Sequence, residues 1–144
     1  MKLAEKIILL VVIIGLIFKL MHWPFAGLIL TISLTSLAMF YIASAFNAFE
    51  DKDKNRGLSV VCGIFMSITT IGILFKFMHW PMANIQLLVG AIPLPILFLV
   101  TLLLKLKQKD EILQTYYKNM LLRLGIFIIL LFLFINTTNV TFIR

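Results

Sequence analysis

Apolar residues run through this chain in blocks too long for single helices of a soluble domain. Residues 7–48 are apolar almost without interruption, about twice the roughly 20 residues that one helix needs to cross a ~30 Å hydrocarbon core. The block must therefore turn once. Pro24 predicts where, because proline lacks an N–H and pushes the residue before it out of the α region. This gives a first span over about 4–22 and a second over about 24–46. After a polar segment at 47–56, the pattern recurs with spans over 58–78 and about 81–104 and a turn at Trp80-Pro81. Pro93 and Pro95 fall inside the fourth span, where each removes a backbone hydrogen bond, so that helix is expected to kink. In the polar stretch 105–119, Ile112, Leu113, Tyr116, Tyr117 and Met120 recur at helical spacing, which predicts an amphipathic helix at the headgroups. The apolar run 120–135 is read as a fifth span.

Both turns carry nearly the same residues. Residues 14–26 read IGLIFKLMHWPFA and residues 71–83 read IGILFKFMHWPMA, nine of thirteen positions being identical. The other four exchange one large apolar residue for another, so the pattern reads as a duplicated hairpin. Gly15, Pro24, Gly72, Pro81, Pro93 and Pro95 are expected to be structural. The expected fold is an all-α membrane protein: a four-helix core from two parallel hairpin repeats, 1–56 and 57–106, followed by an interfacial helix and a fifth transmembrane helix at 107–144.

Composition agrees with the pattern. With 62% hydrophobic and 13% charged residues and a mean hydropathy of +1.09, the chain has too little polar surface to cover a soluble globule. In such a chain the formal charge of +7 concerns orientation, and no nucleic-acid partner is expected. If the amino terminus is cytoplasmic, Lys2, Lys6, Lys52, Lys54, Arg56, Lys105, Lys107, Lys109, Lys118 and Arg123 lie inside and Lys19, Lys76 and Arg144 outside. The positive-inside rule thus places the amino terminus in the cytoplasm and both turns outside. Both hairpins then start on the same side, as parallel repeats related by an axis along the membrane normal.

Candidate chemistry is sparse. Lys19 and His22, like Lys76 and His79, are three residues apart and share a helix face. With Trp23 and Trp80 they are the expected binding residues, although a basic and an aromatic residue at a helix end also serve as interfacial anchors. All six acids, Glu5, Glu50, Asp51, Asp53, Asp110 and Glu111, fall in segments expected to be cytoplasmic, which leaves no intramembrane carboxylate for a proton relay. Arg123 is expected to snorkel towards the headgroups. The single cysteine, Cys62, excludes an intramolecular disulfide. No nucleophile stands beside a histidine and an acid, so no catalytic residue, cofactor or metal is assigned. A haem held between His22 and His79 is the one metal arrangement the composition allows.

Each hairpin resembles the amino-terminal membrane hairpin of the GldL family, an inner-membrane component of the bacterial gliding-motility and type IX secretion motor. Gly15, Phe18, Lys19, His22 and Pro24 carry the resemblance at the turn, and Ser44, Ala45 and Phe46 at the end of the second helix. Gly72, Phe75, Lys76, His79 and Pro81 repeat the turn alone. The resemblance implies a glutamate where this chain has Ser36, and another after Phe46 where it has Asn47; the equivalent of Ser36 in the second hairpin is Pro93. The implied protein is a multi-pass bacterial inner-membrane component without a proton-harvesting acid. It is expected to be non-enzymatic and to contact membrane lipids, a partner transmembrane helix or further copies of itself. The alternative is a small transporter or channel with a Lys/His-lined anion pathway between the repeats.

Overall fold

The computed structural model describes residues 3–47 and 55–141, and among them it is all helical. Helix α1 (Leu3–Leu20) and α2 (Ala26–Asn47) form one antiparallel pair, and α3 (Arg56–Phe77) begins the second. The return limb is broken into α4 (Ala83–Ala91) and α5 (Pro93–Lys107) by Ile92, directly before Pro93. That is the expected kink, since Pro93 and Pro95 cannot donate to carbonyls one turn back. Helix α6 (Glu111–Thr141) follows a three-residue connection.

Four segments are long and apolar enough to cross a membrane: Ala26–Phe46, Arg56–Phe77, Ala83–Lys107 through both halves of the broken limb, and Glu111–Phe132. The expected fifth span is thus among them. Helix α1 falls outside the set because Glu5, Lys6 and Lys19 lie within its 18 residues, yet it packs antiparallel on α2. The separate interfacial helix is a correction. Residues 105–107 finish α5, and the rest of that polar stretch opens α6, one helix of 31 residues. Its apolar stripe is packing surface: Tyr117, Met120 and Leu124 are buried with Phe127 and Leu131 in the core. Helical spacing alone does not distinguish a stripe that faces headgroups from one that faces other helices.

At the centre is α3, which packs against α2, α4, α5 and α6, while the backbone of α1 comes close to α2 alone among the described residues. The seams are built from small residues, as expected where lipid supplies no hydrophobic drive between helices. A Cβ added at Gly63 would stand 2.4 Å from the Ala45 Cβ and 2.8 Å from the Tyr41 carbonyl oxygen, so α2 and α3 are in backbone contact. Gly15 lets the Leu30 side chain pack against α1, and Gly72 lets Gln86 and the backbone of Leu87 approach α3. Those leucines occupy equivalent positions of the two pairs, and both are buried. The outer faces are apolar, with Leu10, Ile13, Ile17, Ile96, Leu99, Leu103 and Ile129 exposed. Apolar surface this extensive needs hydrocarbon rather than water around it.

Three buried threonine hydroxyls serve their own helix backbone. Thr69, Thr70 and Thr101 donate to the carbonyls of Phe65, Met66 and Leu97 at 2.7, 2.8 and 2.6 Å. Lys2, Lys52, Lys54, Arg144, Glu50, Asp51 and Asp53, used above to orient the chain or to place its acids, lie outside the described residues.

The α2–α3 seam gives a direct test. Gly63→Ala is expected to lose about 1–3 kcal/mol by overpacking, read as reduced resistance to denaturing detergent. Gly57→Ala, whose added carbon meets nothing closer than 3.9 Å, is expected to stay within about 0.5 kcal/mol of the parent.

Candidate functional site

The repeated sequence closes each helix in the same way. In the first turn the His22 N–H donates to the Lys19 carbonyl at 3.2 Å and the Trp23 N–H reaches back to the Phe18 carbonyl at 2.9 Å. The second turn repeats this with His79 on Lys76 at 3.2 Å and Trp80 on Phe75 at 2.9 Å. This is a Schellman closure, in which a left-handed residue past the helix end lets two further amides satisfy orphan carbonyls. His22 and His79 are the left-handed residues, each with φ of 55°, a position usually filled by glycine. The hydrophobic contact that accompanies such closures is the aromatic pair. Phe18 and Trp23 meet edge to face at 4.8 Å between centroids, and Phe75 and Trp80 at 5.1 Å.

Proline then sits in the turn itself, not at the first helical position. The next residue, Phe25 or Met82, is left-handed again, with φ of 66° or 67°. Its carbonyl accepts the first helical bond, from Ile29 or Gln86 at 3.0 and 3.1 Å. Phe, the histidine backbone, Trp and Pro are therefore accounted for by chain reversal. What that leaves over is the side chains of Lys19, His22, Lys76 and His79.

All four lie at one end of the bundle. His22 and His79 are exposed and the two lysines half-buried. One groove is lined by Lys19, His22, Trp23 and His79, and a second by Lys76, His79, Trp80 and Asn84. His79 borders both, and the Met78 side chain would contact a Cβ at Gly27, so the turns are neighbours. Among the described residues no carboxylate stands at this end, and no group of three potential ligands suggests a metal. The surface is basic, aromatic-rimmed and open.

The other polar centre went unread in the sequence. Glu5, expected in a cytoplasmic segment, is inside α1 and completely buried. Arg123, expected to snorkel, instead donates from Nη2 to Glu5 Oε2 at 2.6 Å across 118 residues. The Tyr41 hydroxyl stands 3.4 Å from the second carboxylate oxygen and its ring packs on Phe127. Opposite charges this far apart in sequence have no local pattern. The one available signal is that Glu5 shares the α1 face of Val12 and Gly15, both buried against α2. Below the pair, a cavity of ≈ 110 Å³ runs between α1, α2, α3 and α6. Its wall is almost wholly apolar, which gives the anion-pathway alternative no support.

Comparison with known proteins decides part of the identity. Residues 10–56 match the family model of the GldL N-terminal domain. This stretch is GldL-like. The GldL-like segment takes in most of α1, all of α2 and the first turn with Lys19 and His22, and ends on the first residue of α3. The second turn lies beyond the match. No curated protein and no solved structure matches the chain. Within the GldL-like segment Ser36, standing where the resemblance implies an acid, is exposed and donates to the Ile32 carbonyl of its own helix at 2.7 Å.

Two measurements separate these roles. His22→Gly with His79→Gly is expected to keep or slightly raise stability, because glycine takes the left-handed region without cost, whereas the two valine replacements should lose about 1–2 kcal/mol at each turn. For the buried pair, Glu5→Gln or Arg123→Gln alone should cost about 3–5 kcal/mol, and Glu5→Leu combined with Arg123→Met should recover most of it. A thermal-shift series in one detergent reads both.

Proposed function

We propose that this chain is a non-enzymatic GldL-like accessory or structural component of a bacterial inner-membrane assembly related to gliding motility and type IX secretion. Its amino terminus is cytoplasmic and its two Lys/His turns face outward. Lys19 and Lys76 supply fixed charge, His22 and His79 supply imidazole hydrogen-bonding groups, and Trp23 and Trp80 set the depth. Together they receive an acidic segment flanking a partner's transmembrane helix, or anionic lipid headgroups. The GldL-like match at residues 10–56 supports the assembly and the membrane.

One observation carries the contact surface. Two turns of the same geometry bring four basic side chains to one end of the bundle with no described acid beside them. Anchoring a helix end needs one basic and one aromatic residue. The backbone of the turn needs neither the lysine nor the imidazole. Serine in place of the implied acid, at Ser36, argues for a supporting part rather than a self-sufficient proton-driven one.

The experiment is a combined Lys19→Gln, His22→Asn, Lys76→Gln, His79→Asn variant, in which asparagine keeps the left-handed residue. It is expected to fold normally and to lose most of its copurifying membrane partners, along with any secretion or motility phenotype of the parent. Unchanged copurification and phenotype would contradict the proposal.

A further inference from the structure

We propose that the two Lys/His grooves together seat the headgroup of one anionic lipid that carries two phosphates, of the cardiolipin type, with His79 shared between them. This deepens the reading of the turns as a contact surface and rests on it. The two grooves adjoin. Lys19, His22 and His79 line the first and Lys76, His79 and Asn84 the second, so one imidazole is common to both. The side chain of Met78, the residue before it, would meet a Cβ at Gly27 in the first groove at 3.4 Å. Each groove has its own lysine, half-buried and with no described carboxylate at that end of the bundle. One ammonium group in each of two grooves that meet at a hydrogen-bonding ring matches two singly charged phosphates joined by a short linker. A single phosphate answers one groove and leaves the other lysine unpaired.

Two further observations select a lipid. The first is depth. The second turn falls between a span ending at Phe77 and one starting at Ala83, and the first turn directly precedes the span that starts at Ala26. Both therefore stand where hydrocarbon gives way to headgroups. The second is that this end is apolar as well as basic, with Leu20, Phe25 and Met82 exposed in and beside the same turns. The occupant must bring anionic oxygens and hydrocarbon side by side. A phospholipid does so in one molecule, whereas an acidic peptide segment or a soluble anion supplies the charge alone.

The test is native mass spectrometry of the full chain, purified in detergent and supplied in turn with cardiolipin, phosphatidylglycerol and phosphatidylcholine. The parent is expected to keep one cardiolipin at activation energies that strip the other two, several-fold above phosphatidylglycerol. His79 borders both grooves and His22 only the first. His79→Asn should therefore bring cardiolipin down to the phosphatidylglycerol level, while His22→Asn keeps part of the preference. Asparagine holds the left-handed turn in each, and matching helical circular dichroism shows that both fold. Cardiolipin kept no better than phosphatidylglycerol by the parent, or kept equally by His79→Asn and the parent, overturns the proposal. Displacement by inorganic phosphate alone overturns the choice of a lipid. In the four-residue variant above, lost partners with parental cardiolipin retention overturn this inference and leave the contact surface standing, whereas unchanged partners, phenotype and retention overturn both.

Discussion

Everything in this fold depends on ending a helix and starting the next within a few residues, at a place where water is scarce. Each helix end leaves carbonyls without partners, and in or near hydrocarbon every such group must be satisfied by the chain itself. The two Trp-Pro turns solve this with a left-handed histidine, whose own amide and that of the following tryptophan return to the last carbonyls. The Phe–Trp pair holds the closure shut. Because the reversal is tight, α1 lies directly on α2 and α3 on α4. Gly15 and Gly72 then meet Leu30 and Leu87 at equivalent levels.

A turn of this kind divides its own residues into two sets. Phe18, Trp23, Pro24 and the backbone of His22 are occupied by geometry, as are Phe75, Trp80, Pro81 and the backbone of His79. The lysines and the imidazole rings are left facing outward. This explains why a motif can recur almost unchanged while its flanks diverge, since backbone closure fixes most of it. It also narrows the chemistry of that end of the bundle to two Lys/His pairs on one basic surface.

Much of the architecture was legible because it follows from local rules. Apolar block lengths located the helices, Trp-Pro located the turns and Pro93 located the break in the fourth limb. The sequence misled where two environments impose the same periodicity. Leu113, Tyr117 and Met120 recur as they would in a headgroup helix, yet they pack against the bundle as the first turns of α6. Long-range pairing was invisible for a different reason. Glu5 and Arg123 look like ordinary flanking charges until α6 folds back across the first hairpin and buries the carboxylate. At the Lys/His turns the sequence shows the repeat but not which of its residues the chain reversal occupies, because a left-handed histidine cannot be told from a liganding one by its neighbours.

The claim that chain closure accounts for most of the repeated motif is tested most directly by amide hydrogen exchange in lipid nanodiscs, followed at Trp23 and Trp80 by NMR. These residues are 50% and 43% exposed, so exposure alone would give fast exchange. Closure predicts amides at both positions protected to a degree near that of the helix ends they cap, and alike in the two turns. Exchange at the rate of an open loop at either tryptophan would contradict it.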